Sequence, residues 1–148
     1  MKFKFSLDKV MIHRKSIENL AKKDYLEELR ILNEEKAKLD KMYQDLDQSR
    51  LQAHLYESRG GTTAESLKHI HEFSIGQNVR IERQKNKIRE QTGLVEDKLE
   101  ILKKASQEYK MIEKLKEKRF DEFQLDADKK EQKEIDDMVT SRHKRLER

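Results

Sequence analysis

The sequence predicts an all-α protein, a long two-helix antiparallel coiled-coil hairpin with a C-terminal helical overhang. Three observations carry that expectation. Of the 148 residues, 43% are charged and only 34% are hydrophobic, whereas an ordinary soluble domain is about 25% charged and about 45–50% apolar. There is no proline and there are only four glycines, while Lys, Glu, Leu, Gln, Arg and Ala, all strong helix formers, dominate. That choice separates a long helix from a disordered chain, which is usually rich in proline and glycine. Finally, the apolar residues recur at steps of three and four and, over the second half, at sevens. A globular enzyme is argued against at once, because a compact domain of this length buries roughly two thirds of its unfolded surface and the apolar atoms to fill it are lacking.

The first helix is expected over about residues 5–58. Its apolar stripe runs through Phe3, Leu7, Val10, Ile17, Ala21, Tyr25, Leu29, Leu32, Leu39, Tyr43, Leu46 and Ala53, with Arg14, Lys36 and Arg50 in the same stripe. The steps of four in Ile17, Ala21, Tyr25 and Leu29 read as a stutter that locally relaxes the supercoil. A turn follows over about 59–63, where Gly60-Gly61 is the only glycine pair. Glycine supplies the left-handed residue that ends a helix. Thr62 with Glu65 has capping-box spacing to start the next, and Thr63 is an alternative cap.

The second helix is expected over about 63–145 and holds one register for longer. One column is Leu67, Ser74, Ile81, Ile88, Val95, Leu102, Tyr109, Lys116 and Phe123; the companion column is Ile70, Gln77, Gln84, Gln91, Lys98, Ala105, Ile112 and Arg119. The second of these is mostly polar or small, so each buried Gln must find a partner or cost stability. With one short turn, each stripe can bury only against the other. At the helical rise the arms span about 80 and 120 Å, which sets residue 5 opposite roughly residue 118 and leaves everything after Phe120 projecting. That overhang keeps apolar residues at Phe120, Phe123, Ile135, Met138, Val139 and Leu146. The whole of 1–148 is expected to be a single coiled-coil domain.

The formal net charge of +4 hides interleaved signs, and no block is basic enough to demand nucleic acid. Zero cysteines exclude disulfides and fit a reducing compartment. Asp8 and Lys9 interrupt any signal-peptide core, and runs such as Val10-Met11-Ile12 are too short to span a bilayer. The expectation is a soluble cytoplasmic protein. No phosphate loop, dinucleotide fingerprint, zincin motif or EF-hand is present. His69 and His71, two apart on a helix, do not face each other, and the carboxylates lie on solvated helices; no enzyme activity, metal or cofactor is expected. The densest basic stretch, Val79–Arg89, sets Arg80, Arg83, Lys85, Lys87 and Arg89 against Glu82 alone. It does not continue into a leucine zipper, so it reads as a solvated face or a contact for an acidic protein surface. Tyr43, Tyr56 and Phe73, toward the turn end, read either as seam residues or as a recognition patch.

Two stretches carry a family resemblance. The opening KFKFSLDKVMIHRKSIEN is similar to the start of FliJ-family proteins, the coiled-coil components of bacterial flagellar type III export. So are Ile112–Phe123 and Glu131–Arg145, where Glu131, Gln132, Lys133, Asp136, Asp137 and Arg142 carry the family's C-terminal pattern. The resemblance covers the whole chain. It implies a central stalk whose terminal end enters the hexameric flagellar export ATPase, which reaches the cytoplasmic domain of the export gate, FlhA, and which escorts export chaperones. It places the protein in the cytoplasm, at the inner membrane through its partners. For the ATPase contact the resemblance points to the C-terminal positions with Lys4, Arg14 and Lys15; for the gate it points to Tyr43, Leu46, Phe73, Gln77, Arg80 and Gln84. Gln77, Arg80 and Gln84 are more polar than the family pattern. The competing readings are the stalk of a virulence type III secretion system, a generic structural coiled-coil scaffold, and a nucleic-acid-binding helix.

Overall fold

The structure is a computed structural model and describes residues 2–60 and 64–147. Two helices, α1 (Asp8–Arg59) and α2 (Ala64–Leu146), account for nearly all of it and pack against each other. The expected all-α helical hairpin is what forms. Gly60 has φ +64°, the left-handed conformation that closes α1. Gly61, Thr62 and Thr63, on which the expected turn and caps fall, lie outside the described residues. Contacts divide the chain into two units, Met1–Asn19 with Lys103–Arg148, and Leu20–Leu102.

In the Leu20–Leu102 unit the pairing is antiparallel and regular. Gln77 Nε2 donates to the main-chain oxygen of Met42, Gln84 Nε2 to that of Glu35, and Gln91 Nε2 to that of Glu28, each at 2.9 Å. Every advance of seven along α2 is matched by a retreat of seven along α1. Ala21, Leu32, Leu46, Ile81 and Val95 are the buried apolar residues, and Gln77 and Gln84 are buried with them at 4% exposure. The polar column of α2 therefore does form half of the seam, as its spacing predicts. Its amides are satisfied by carbonyls that already accept their intrahelical bond and retain a lone pair.

The α1 side differs from the expected stripe. Among the buried and half-buried positions on α1, Arg14, Glu18, Ala21, Tyr25, Glu28, Leu32, Glu35, Leu39, Met42, Leu46, Ser49 and Ala53 alternate steps of four and three, and Met11, Leu29, Ile31, Asp45 and Tyr56 are half-buried beside that line. Ile17 sits at the edge and Val10 outside, while Lys36 and Arg50 are exposed. Glutamates enter the seam beside the apolar residues because α2 offers them donors. Glu18 accepts from Ser106, Glu28 from Gln91 and Glu35 from Gln84. Hydrophobicity alone could not see those partners.

In the other unit, α1 starts at Asp8 rather than at residue 5. Residues 2–7 are not helical, and Asp8 N–H donates to the Phe5 carbonyl at 3.2 Å. Phe3 and Phe5, two residues apart, are on a common face only in an extended segment, and both reach α2. The Phe3 ring lies 5.3 Å from Phe120 and 5.5 Å from Phe123. Phe5 is 6% exposed, with the Arg119 guanidinium 5.6 Å and the Lys116 ammonium 6.0 Å from its ring. Burying two aromatic side chains outweighs one added helical turn. The register is the one anticipated, with Phe5 between Lys116 and Arg119. From Gln124 to Glu147 every residue is exposed.

Candidate partner-binding surfaces

The first candidate surface lies in the unit that carries both termini. Lys4 is exposed on the non-helical segment. Arg14 Nη1 pairs with Glu108 across to α2 at 2.6 Å, both side chains a little over one third exposed. Lys15 contacts Glu18 at 3.0 Å, lies 4.8 Å from the Tyr109 ring, and has its pKa raised first by the Glu18 hydrogen bond. Arg14 and Lys15 thus serve α1–α2 packing as well as presenting charge. The C-terminal group lies farther along α2, on the uncovered segment, where Gln132 Nε2 donates to Asp136 at 3.1 Å.

Helical periodicity sorts that group. At about 100° per residue, Glu131 and Arg142 share a face with Ile135, Met138, Val139 and Leu146, and Lys133 and Asp137 occupy the opposite one. Ile135, Met138, Val139 and Leu146 are 48 to 85% exposed. A partner that buries the apolar stripe meets Glu131 and Arg142 directly, with Gln132 and Asp136 at its edge. The aliphatic members were missing from the motif-based site because a motif records residue order and not which residues share a face.

The second candidate surface is on the Leu20–Leu102 unit. Phe73 is 39% exposed beside a shallow groove, and the Arg80 guanidinium stands 5.6 Å from its ring. Tyr43, 37% exposed, is flanked by Lys85 at 6.0 Å. The Tyr43 hydroxyl and then Glu82 hold the Lys85 pKa above its ordinary value. The other three expected gate residues are not on this surface: Leu46, Gln77 and Gln84 are buried in the seam, the glutamines by the main-chain bonds described above. Arg80 is tied back to the same network, its Nε donating to Gln77 Oε1 at 2.8 Å.

Among the described residues no cluster of His, Cys, Asp or Glu could hold a metal ion, and no helix is long and apolar enough to cross a membrane. What the residues present is contact chemistry: aromatic rings under cations, and an apolar stripe edged with charge. Together fold and surfaces define an all-α coiled-coil protein. The chain belongs to the FliJ family, the profile for the flagellar FliJ protein matching residues 3–148, and is a coiled-coil component of flagellar type III export. Comparison with curated proteins and with solved structures gives no match.

Proposed function

We propose that the protein is the central stalk of the flagellar export apparatus. The end carrying both termini engages the hexameric export ATPase, and the Leu20–Leu102 unit meets the cytoplasmic domain of the export gate, FlhA. The ring hydrolyses ATP, and this chain passes its conformational change to the gate without a reaction of its own. Escort of export chaperones belongs to the same reading, as does residence at the cytoplasmic face of the inner membrane through these partners. The carrying observation is family membership over residues 3–148, joined to an α2 segment, Gln124–Glu147, that is exposed throughout among the described residues. A single helix with one apolar stripe gains most of its stability from packing, so such a segment calls for a partner.

The ATPase contact is assigned to Lys4, Arg14, Lys15, Glu131, Gln132, Lys133, Asp136, Asp137 and Arg142, with Ile135, Met138 and Val139 supplying the apolar area. The gate contact narrows to Tyr43, Phe73 and Arg80. The test is steady-state ATP hydrolysis by the cognate export ATPase with the full chain and with a chain ending at Phe123. The full chain is expected to stimulate hydrolysis and the shortened one to lose that effect. Equal stimulation by both would place the ATPase contact elsewhere.

A further inference from the structure

Beside the seam of the Leu20–Leu102 unit, α2 carries a column that is exposed among the described residues. Phe73, Arg80, Lys87, Leu94 and Ile101 follow one another at intervals of seven, each three residues after a member of the glutamine-bearing column. On a supercoiled helix residues seven apart stay in line. Phe73, Leu94 and Ile101 are 39, 47 and 53% exposed, and both cations between them are exposed. Positions flanking a two-helix seam are ordinarily charged and solvated. Single exposed apolar residues call for no explanation, but three in one line with two cations between them form an interrupted seam.

The two cations are not committed to carboxylates. Arg80 is directed at Gln77 and the Phe73 ring, and among the described residues Lys87 makes no ion pair. The Lys87 charge helps to hold down the pKa of Glu35, a carboxylate already engaged by Gln84 and Lys38. At the Phe73 end the flank opens into a shallow groove between Asp45, Gln48 and Gln52 of α1 and His69, Ile70 and Phe73 of α2.

We propose that this column receives a third helix, contributed by a partner protein and apolar at both ends with acidic residues in its middle. Its apolar ends cover Phe73 and the Leu94–Ile101 pair, and its central carboxylates meet Arg80 and Lys87. The footprint is about 40 Å long at the helical rise. A protein helix fits better than a lipid surface, because the line alternates apolar and cationic residues along its length instead of presenting one continuous apolar face. The inference rests on the reading that a partner docks on this flank, and it adds the partner's chemistry.

The test uses the full chain and a synthetic amphipathic peptide of about 30 residues, with leucines at the ends of one face and glutamates in its centre. A second peptide has lysines in place of those glutamates. The acidic-centred peptide is expected to bind, about tenfold or more tighter than the lysine-centred one, with affinity falling as salt rises. The double variant Arg80→Glu with Lys87→Glu should reverse the preference, and Leu94→Asp should weaken both peptides, each variant being checked for unchanged helicity by circular dichroism. Equal binding of the two peptides, or binding only to phosphatidylserine-containing vesicles, would overturn the proposal. The FlhA cytoplasmic domain separates this inference from the gate reading. Gate binding that ignores Lys87→Glu alone removes the acidic helix and leaves the gate contact at Tyr43, Phe73 and Arg80; peptide discrimination without gate binding does the opposite.

Discussion

Gln84 shows how a polar residue holds a place in an apolar seam. Its Nε2 donates to the Glu35 main-chain oxygen at 2.9 Å and to Glu35 Oε2 at 2.5 Å. A hydrogen bond contributes about 0.5–1.5 kcal/mol net, whereas burying a leucine there contributes about 1.5–3 kcal/mol. The Glu35 carbonyl also keeps its intrahelical bond when the amide is gone. Gln84→Leu is therefore expected to raise stability by about 1 kcal/mol, read as a higher urea midpoint; a fall of that size would mean the amide contributes more than its share. The same pair sets a pH response. The Glu35 carboxyl is held below its ordinary 4.5, first by the Gln84 amide and then by Lys38. A depressed carboxylate pKa gives stability that is present above the unfolded value and lost as pH falls through the folded one. Melting temperature should thus decline below about pH 4.5, and Gln84→Leu should flatten part of that decline.

At the scale of the element, α2 is continuous from Ala64 to Leu146 although Gly76 and Gly93 interrupt its helix formers. An added Cβ at Gly93 would have no atom within 4 Å. Gly93→Ala is therefore expected to stabilise the protein by about 1 kcal/mol, visible as a higher urea midpoint without a change in slope. If stability falls, the backbone at this position is not ordinary helix. At Gly76 the Cβ would meet Arg80 Nη1 at 3.3 Å, the far end of a flexible side chain. The helices themselves were legible, since proline-free chemistry and heptads fix their type. Their edges were less so: α1 begins at Asp8 because Phe3 and Phe5 are drawn onto α2 in an extended segment, an attraction between residues more than a hundred positions apart.

For the whole molecule, protection from hydrogen exchange should follow coverage. Amides of residues 77–102 of α2, which face the Gln84 and Val95 layers, are expected to exchange slowly, and those of 124–147 to exchange orders of magnitude faster while no partner is bound. Adding the export ATPase should slow the second group alone; unchanged exchange there would argue against the proposed ATPase contact. The sequence by itself determined the all-α class, the antiparallel pairing, the polar column of α2 and the bare C-terminal segment, because these depend on composition and on spacings within one helix. Only the tertiary structure decided that Glu18, Glu28 and Glu35 enter the seam beside the aliphatics, and which main-chain oxygens receive the amides of Gln77 and Gln84. Both outcomes turn on which donor stands opposite which acceptor across two helices, and a hydrogen-bond partner dozens of residues away leaves no trace in a local pattern.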